Sequence, residues 1–328
     1  MRKDYPAITW EGGGDTCSGR KEVVGLELDI HNRKMQFSVG VGNGHMKVVE
    51  LELDIFGELL HTQIYVKDCS ATLDDIVPVA RAISSRVVHL VRRQSALKGI
   101  RVPCRRGCHS ACCYYLILLS IPESLHVANE VKAMRSQQRA RIVNSCRAAK
   151  QRMQLEIAKF LSYKKSLDLL DVQPTQLWEI GQWYGQLGQA CPFLRDSQCT
   201  IYEHRPLVCR EWLVTGSASQ CKSDSATRPR MVKTPLDTSV ALIELTAELS
   251  RRRREAVPLF CMFDCWDTNL EIRSRVWPAI FLVEKFAGIL TRLQKKNAGD
   301  LDHVPSRIIT ERGQRVASWA AKSQSVTS

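Results

Sequence analysis

Between Val102 and Tyr115 the chain reads VPCRRGCHSACCYY, placing Cys104, Cys108, Cys112 and Cys113 in the spacing C-x3-C-x3-C-C. Clustered thiols in an unexported chain point to metal binding or redox chemistry rather than to a disulfide framework. A single zinc knuckle does not account for these four, because each half of such a site supplies two ligands. They need partners, and a second group stands far downstream in CPFLRDSQCTIYEHRPLVCREW, with Cys191, Cys199 and Cys209. A pocket made from both groups is soft, so it selects zinc or iron, the latter also as an iron-sulfur cluster, over magnesium or calcium. No other catalytic pattern competes: the sequence has no G-x-S-x-G, no Walker-type glycine loop, no H-E-x-x-H and no G-x-G-x-x-G.

The downstream group runs Cys191-Pro192-Phe193-Leu194, then Cys199, Ile201 and Tyr202, then Arg205-Pro206, Cys209 and Arg210. With the upstream CC pair, this order resembles the YkgJ-type cysteine-cluster family of zinc- or iron-chelating proteins. That family is known by a cluster ending in CC and a downstream C-P-F-L, C-x-I-Y, R-P-x-x-C-R motif. The resemblance covers about Val102 to Trp212, roughly a third of the chain. It implies a metal ion as the partner of Cys104, Cys108, Cys112, Cys113, Cys191, Cys199 and Cys209. One spacing departs from the family, which usually has two residues where His109, Ser110 and Ala111 make three. Neighbouring helical cysteines also point about 100° apart, so which of Cys112 and Cys113 ligates is left open. The same three-residue gap argues against a radical-SAM signature. A related architecture occurs in flagellin lysine methylases, so the resemblance leaves a metal-dependent protein-modifying or redox enzyme as an alternative; the sequence displays no methyl-donor site.

Other residues have quieter readings. Tyr202, Arg205 and Arg210 brace the cysteine loops through carbonyls or sulfurs, and His109 is an exposed loop residue. Cys146 falls on an apolar helical stripe and reads as core. Cys261 and Cys265 read as helix packing, with completion of the metal site together with Cys221 as the other option. Cys17 and Cys69 carry no assignment.

The net charge of +13 is concentrated: Arg86 to Lys165 holds seventeen Arg and Lys against three acids. Nucleic acid is a conceivable partner for such a segment, but without a basic-aromatic interleave solvated helix faces are the favoured reading. Arg105 and Arg106 lie where they can offset an anionic thiolate site. The run Arg251–Arg254 follows a helix, where cations complement the dipole.

The elements that must position these residues make an α+β, mostly helical cysteine-cluster protein with a small N-terminal antiparallel sheet. LELDI occurs at 26–30 and again at 51–55, each copy followed by an alternating segment (35–41 and 61–66), which predicts about four strands. This sheet is the place for a protein partner. A capping pattern from Thr72 to Asp75 opens a helix with Ile76, Val79, Ile83, Val87 and Leu90 on one face. After a strand-like run and Pro122 come stripes through Leu125–Met134, Ile142–Phe160 and Leu177–Leu187. Helices near 236–254 and through Val276, Ile280, Val283, Ala287, Leu290 and Leu293 complete the order. The expected division is 1–99, a β-rich region with a helix; 100–222, the metal-binding domain; 223–296, C-terminal helices; and 297–328, a partly disordered tail. No apolar run is long enough to cross a bilayer, and the chain is expected in the cytoplasm.

Overall fold

The computed structural model describes residues 2–4, 7–10, 46–108, 111–163, 183–221, 230–232 and 234–300. The first LELDI copy, the 35–41 segment, Cys17, His109, Leu177, Ile180 and the tail after 300 lie outside them.

The second LELDI copy forms the hairpin that its alternation predicts. Strand β3 (Met46–Ile55) runs antiparallel to β4 (Glu58–Lys67), in register from Met46 opposite Lys67 to Ile55 opposite Glu58. The two-residue turn holds Phe56 and Gly57 at φ of 56° and 81°, the mirror-image turn that matches strand twist. Asp54 Oδ1 secures it by accepting from Gly57 N at 2.6 Å. On the far side of β4, two short strands, β1 (Arg2–Asp4) and β2 (Ile8–Trp10), pair one after the other in parallel. They make the sheet mixed.

The buried face of that sheet, Val49, Leu51, Leu53, Ile55, Leu60, Ile64 and Val66, packs on helices α1 (Val77–Leu97) and α8 (Ala279–Asp300). The capping pattern before α1 is realised: Asp75 Oδ2 accepts from Thr72 N at 2.8 Å and Thr72 Oγ1 at 2.7 Å. A 3-10 turn, Leu73–Ile76, leads into α1 (Val77–Leu97). Pro78 falls in the first turn of α1, where its missing N–H has no helical partner to lose.

Strand β5 (Ser70–Thr72) pairs with β12 (Val276–Pro278), and β6 (Leu118–Ser120) with β11 (Ala256–Pro258). Helices α2 (Ile121–Lys132) and α3 (Ser136–Tyr163) follow β6. Next come the hairpin of β7 (Leu194–Arg195) and β8 (Gln198–Cys199), the short helix α4 (Leu207–Glu211), and β9 (Val214–Thr215) paired with β10 (Arg230–Met231). The order closes with α5 (Thr238–Ser250), α6 (Met262–Thr268), α7 (Leu270–Ser274) and α8 (Ala279–Asp300). Val276, expected on the last helix, lies instead in β12 and is exposed, because Pro278 cannot sit inside a helix and marks the boundary before Ala279.

Two apolar cores result. One joins the sheet, α1, α5 and α8; the other joins α3, the region around Tyr184, Phe193 and Ile201, and Leu259 to Met262. Helix α2 is buried on both sides and divides them, giving Ile121 and Leu125 to the first core and Val127, Ala128 and Val131 to the second.

Candidate metal centre

Each cysteine segment is held by backbone geometry that its own residues impose. Upstream, a turn from Arg105 to Cys108 closes with Cys108 N donating to Arg105 O at 3.1 Å, and Gly107 takes the φ of +76° that a side chain would resist. Cys112 and Cys113 sit in a 3-10 turn, Ala111–Tyr114. Cys191 N donates to Cys113 O at 2.7 Å, which stitches the downstream motif onto the upstream one.

Downstream, β7 and β8 make a hairpin whose turn residues Asp196 and Ser197 both have positive φ. Phe193 is fully buried, and its carbonyl accepts from both Thr200 N and Thr200 Oγ1 at 2.9 Å. Proline 206 then caps α4, and the first amide of that helix, Leu207 N, donates to Glu123 Oε1 at 2.8 Å. Glu123 Oε2 also accepts from Ser120 Oγ at 3.0 Å, and Glu123 N donates to Ser120 Oγ. One buried carboxylate thus caps both α2 and the helix that carries Cys209. At the other end of α4, Glu211 accepts from Ser84 Oγ at 2.7 Å and from Thr238 N and Oγ1. Burial pushes its carboxyl up to about 8.

These supports bring all seven predicted cysteines to one cavity: Cys104, Cys108, Cys112, Cys113, Cys191, Cys199 and Cys209 all line it. Cys221 is an eighth. The cavity lies at the seam of the two cores, since Cys104 packs on the first while Cys191 and Cys199 pack on the second. Cys146, Cys261 and Cys265 do not reach it: Cys146 and Cys265 are buried, and Cys261 packs on the second core. Cys69 is disulfide-bonded and also stands apart.

The cavity measures about 80 Å³, several times the roughly 10–15 Å³ that one water-sized body takes up on this measure. Among the described residues, no group of three or more His, Cys, Asp or Glu side chains is gathered closely enough to hold a metal ion. The thiols ring a space.

The electrostatics of the wall suit anions. Arg105, Arg205 and Arg210 line the cavity. Arg205 Nε is buried and finds no hydrogen-bond partner among the described residues, while its charge helps to lower the Cys112 thiol and partly opposes the rise that burial gives Cys199. The S–H bond from Cys113 is the main reason that Cys112 comes down to about 7, and the same pairing together with burial pushes the Cys113 thiol up. Burial raises Cys104, Cys199 and Cys209, and lifts Cys191 to about 12 and Cys221 to about 11.

Bracing falls to the residues expected for it. Arg210 donates to the carbonyls of Arg205 (3.0 Å) and Glu203 and to Ser85 Oγ of α1 at 3.1 Å, and Arg205 lies 4.1 Å from the centre of the Tyr202 ring. Two supports were not anticipated. Tyr115 stacks on Trp212 at 5.5 Å and donates from its hydroxyl to Cys221 O at 3.1 Å, fixing the eighth cysteine. Arg92 of α1 donates to Cys104 O. Glu123 was readable, because Ser120-x-x-Glu123 before an apolar run is a capping box.

Comparison with protein families agrees with this site. Residues 103–228 match the CxxCxxCC family, described as "Putative zinc- or iron-chelating domain". The match spans well under half of the chain. Both gaps before its CC pair are one residue longer than the family name spells. The match supports metal binding, and the donor set fits it: soft thiols, a cationic wall and an unpartnered buried N–H. No curated protein and no solved structure matches the chain.

Proposed function

We propose that the cavity holds zinc or iron through Cys104, Cys108, Cys112 or Cys113, Cys191, Cys199, Cys209 and Cys221, as more than one ion or as an iron-sulfur cluster. The observation that carries this is the convergence of eight thiols from separate segments on one cavity large enough for several atoms. Zinc there would supply a structural cross-link, and an iron-sulfur cluster would supply electron transfer. The chain's own part is to offset the charge of the bound thiolates with Arg105, Arg205 and Arg210. It also keeps water out with Phe193, Ile201, Leu213 and Trp212 along the wall. Thiols raised by burial must lose protons to bind, so metal uptake by the site should strengthen as pH rises.

The test is metal and acid-labile sulfide content after anaerobic purification of four proteins. Wild type and Cys261→Ser should retain zinc or iron equally, Cys221→Ser should retain less, and the double variant C199S/C209S should retain almost none. A metal-free wild type, or equal retention in all four, overturns the proposal.

A further inference from the structure

Most of the positive charge of this chain lies away from the cavity, which takes only Arg105, Arg205 and Arg210. Between Glu130 and Glu156 the sequence holds seven Lys and Arg and no carboxylate. The fold joins the start of that segment to two others that sequence keeps far apart. Arg139 Nη1 donates to Lys132 O at 2.9 Å, and Lys132 Nζ lies 3.4 Å from the centre of the Trp266 ring. Arg273 lies 4.2 Å from the same ring and donates to Trp266 O at 3.2 Å. Arg252 Nη1 reaches Asn269 Oδ1, one turn before Arg273, at 3.2 Å. The result is a continuous basic track from the α2–α3 junction across α6 and α7 to Arg251–Arg254.

Helix capping does not explain it. The left-handed Arg251 ends α5, so the dipole of that helix accounts for the first of the four arginines, and the effect fades within a turn. Nor is the track wholly neutralised. Arg252 meets Glu271 at 3.5 Å, an 83% exposed carboxylate, Arg254 meets Glu244 at 2.7 Å, and Asp267 acts on Lys132. Among the described residues, the exposed Arg135, Arg251 and Arg253 are bonded to no carboxylate. Cations held side by side in this way repel, and a polyanion relieves that repulsion.

We propose that this track is a docking surface for the phosphate backbone of a nucleic acid. The reading is independent of the metal. Guanidinium groups dominate the track and match phosphate in a two-pronged geometry. Its ring, Trp266, is covered by Lys132 and Arg273, which leaves it poorly placed to enter a bilayer.

Fluorescence anisotropy of the full-length, metal-loaded protein with labelled duplex DNA and single-stranded RNA of arbitrary sequence tests this. Log affinity should fall linearly with log salt between about 50 and 200 mM, with a slope of about −4 or steeper. The variant R135S/R251S/R253S should flatten that slope by about 2 to 3. The variant K47S/K98S/K285S removes the same charge from exposed sites off the track and should leave it within about 1. No binding at the lowest salt overturns the proposal. So does equal weakening by both variants, or binding to anionic phosphatidylserine vesicles in place of nucleic acid.

Discussion

Glu130 shows how single residues hold the cysteine loop to the helices. Its carboxylate accepts from Arg81 at 2.8 and 3.3 Å, and lies 3.4 Å from His126 and 3.5 Å from His204, a residue of the loop between Cys199 and Cys209. Burial by itself raises this carboxyl, but the bonds from His126 and Arg81 outweigh it and bring it to about 2. A carboxylate depressed in the folded state adds stability that is complete above its unfolded value, near 4.5, and is lost as pH falls through about 2. The contribution is at most about 3 kcal/mol at neutral pH. Glu130→Gln should therefore destabilise the protein at pH 7 by about 1–3 kcal/mol, because Arg81 is left buried without its countercharge. It should also flatten the loss of stability between about pH 5 and 2. Urea denaturation across that range checks both, and a variant whose acid limb parallels wild type would contradict the assignment.

At the scale of elements, α4 is the piece most exposed to disruption. Five residues make barely more than one turn, too short to be stable alone. It is held by Glu123 at its start, Glu211 at its end and Leu207 in the core. Glu123→Ala strips acceptors from Leu207 N and Ser120, and should cost about 2–4 kcal/mol. Cys209 sits in this helix, so the same variant should retain less metal than wild type, whereas Cys146→Ser, a core change outside the cavity, should not. Denaturation with parallel metal analysis separates the two effects.

Elements also show what was legible before the structure. Alternation located the β3–β4 hairpin and 3.6-residue periodicity located α1 and α3, because those segments bury one clear face, while α2, buried on both sides, was marked by Pro122 and the apolar stripe behind it. Strands β1 and β2 span three residues each, too few to display a period. Soft-ligand chemistry grouped the seven cysteines of the two motifs, but Cys221 stands alone in sequence, and its place in the cavity depends on Tyr115 and on the β9–β10 pairing that precedes and follows it. The packing stripe placed Cys146 in a core, and it is buried in the second one. The Cys261 and Cys265 pair could have gone either way from spacing: in the fold one packs beside Phe260 and Met262, and the other enters the first core beside Ser124 of α2 and Asn269.

For the whole molecule, the cavity at the seam of two cores predicts a divided response to metal removal. Structural zinc can contribute about 10–16 kcal/mol where it substitutes for a core. Here both cores are extensive without it. Chelation should therefore lower the melting temperature while leaving α1, α8 and the sheet protected from hydrogen exchange. The gain in exchange should fall on 102–117 and 190–221, the segments that ring the cavity. Cooperative unfolding of the entire chain on chelation would contradict that division. Among the described residues no helix is long and apolar enough to cross a membrane.

The account rests on sulfur around a metal. X-ray absorption at the zinc or iron edge of the protein purified without oxygen reads that directly. The predicted spectrum has sulfur neighbours at about 2.3 Å, close to four for each metal. A shell of nitrogen and oxygen alone at about 2.0–2.2 Å would contradict it.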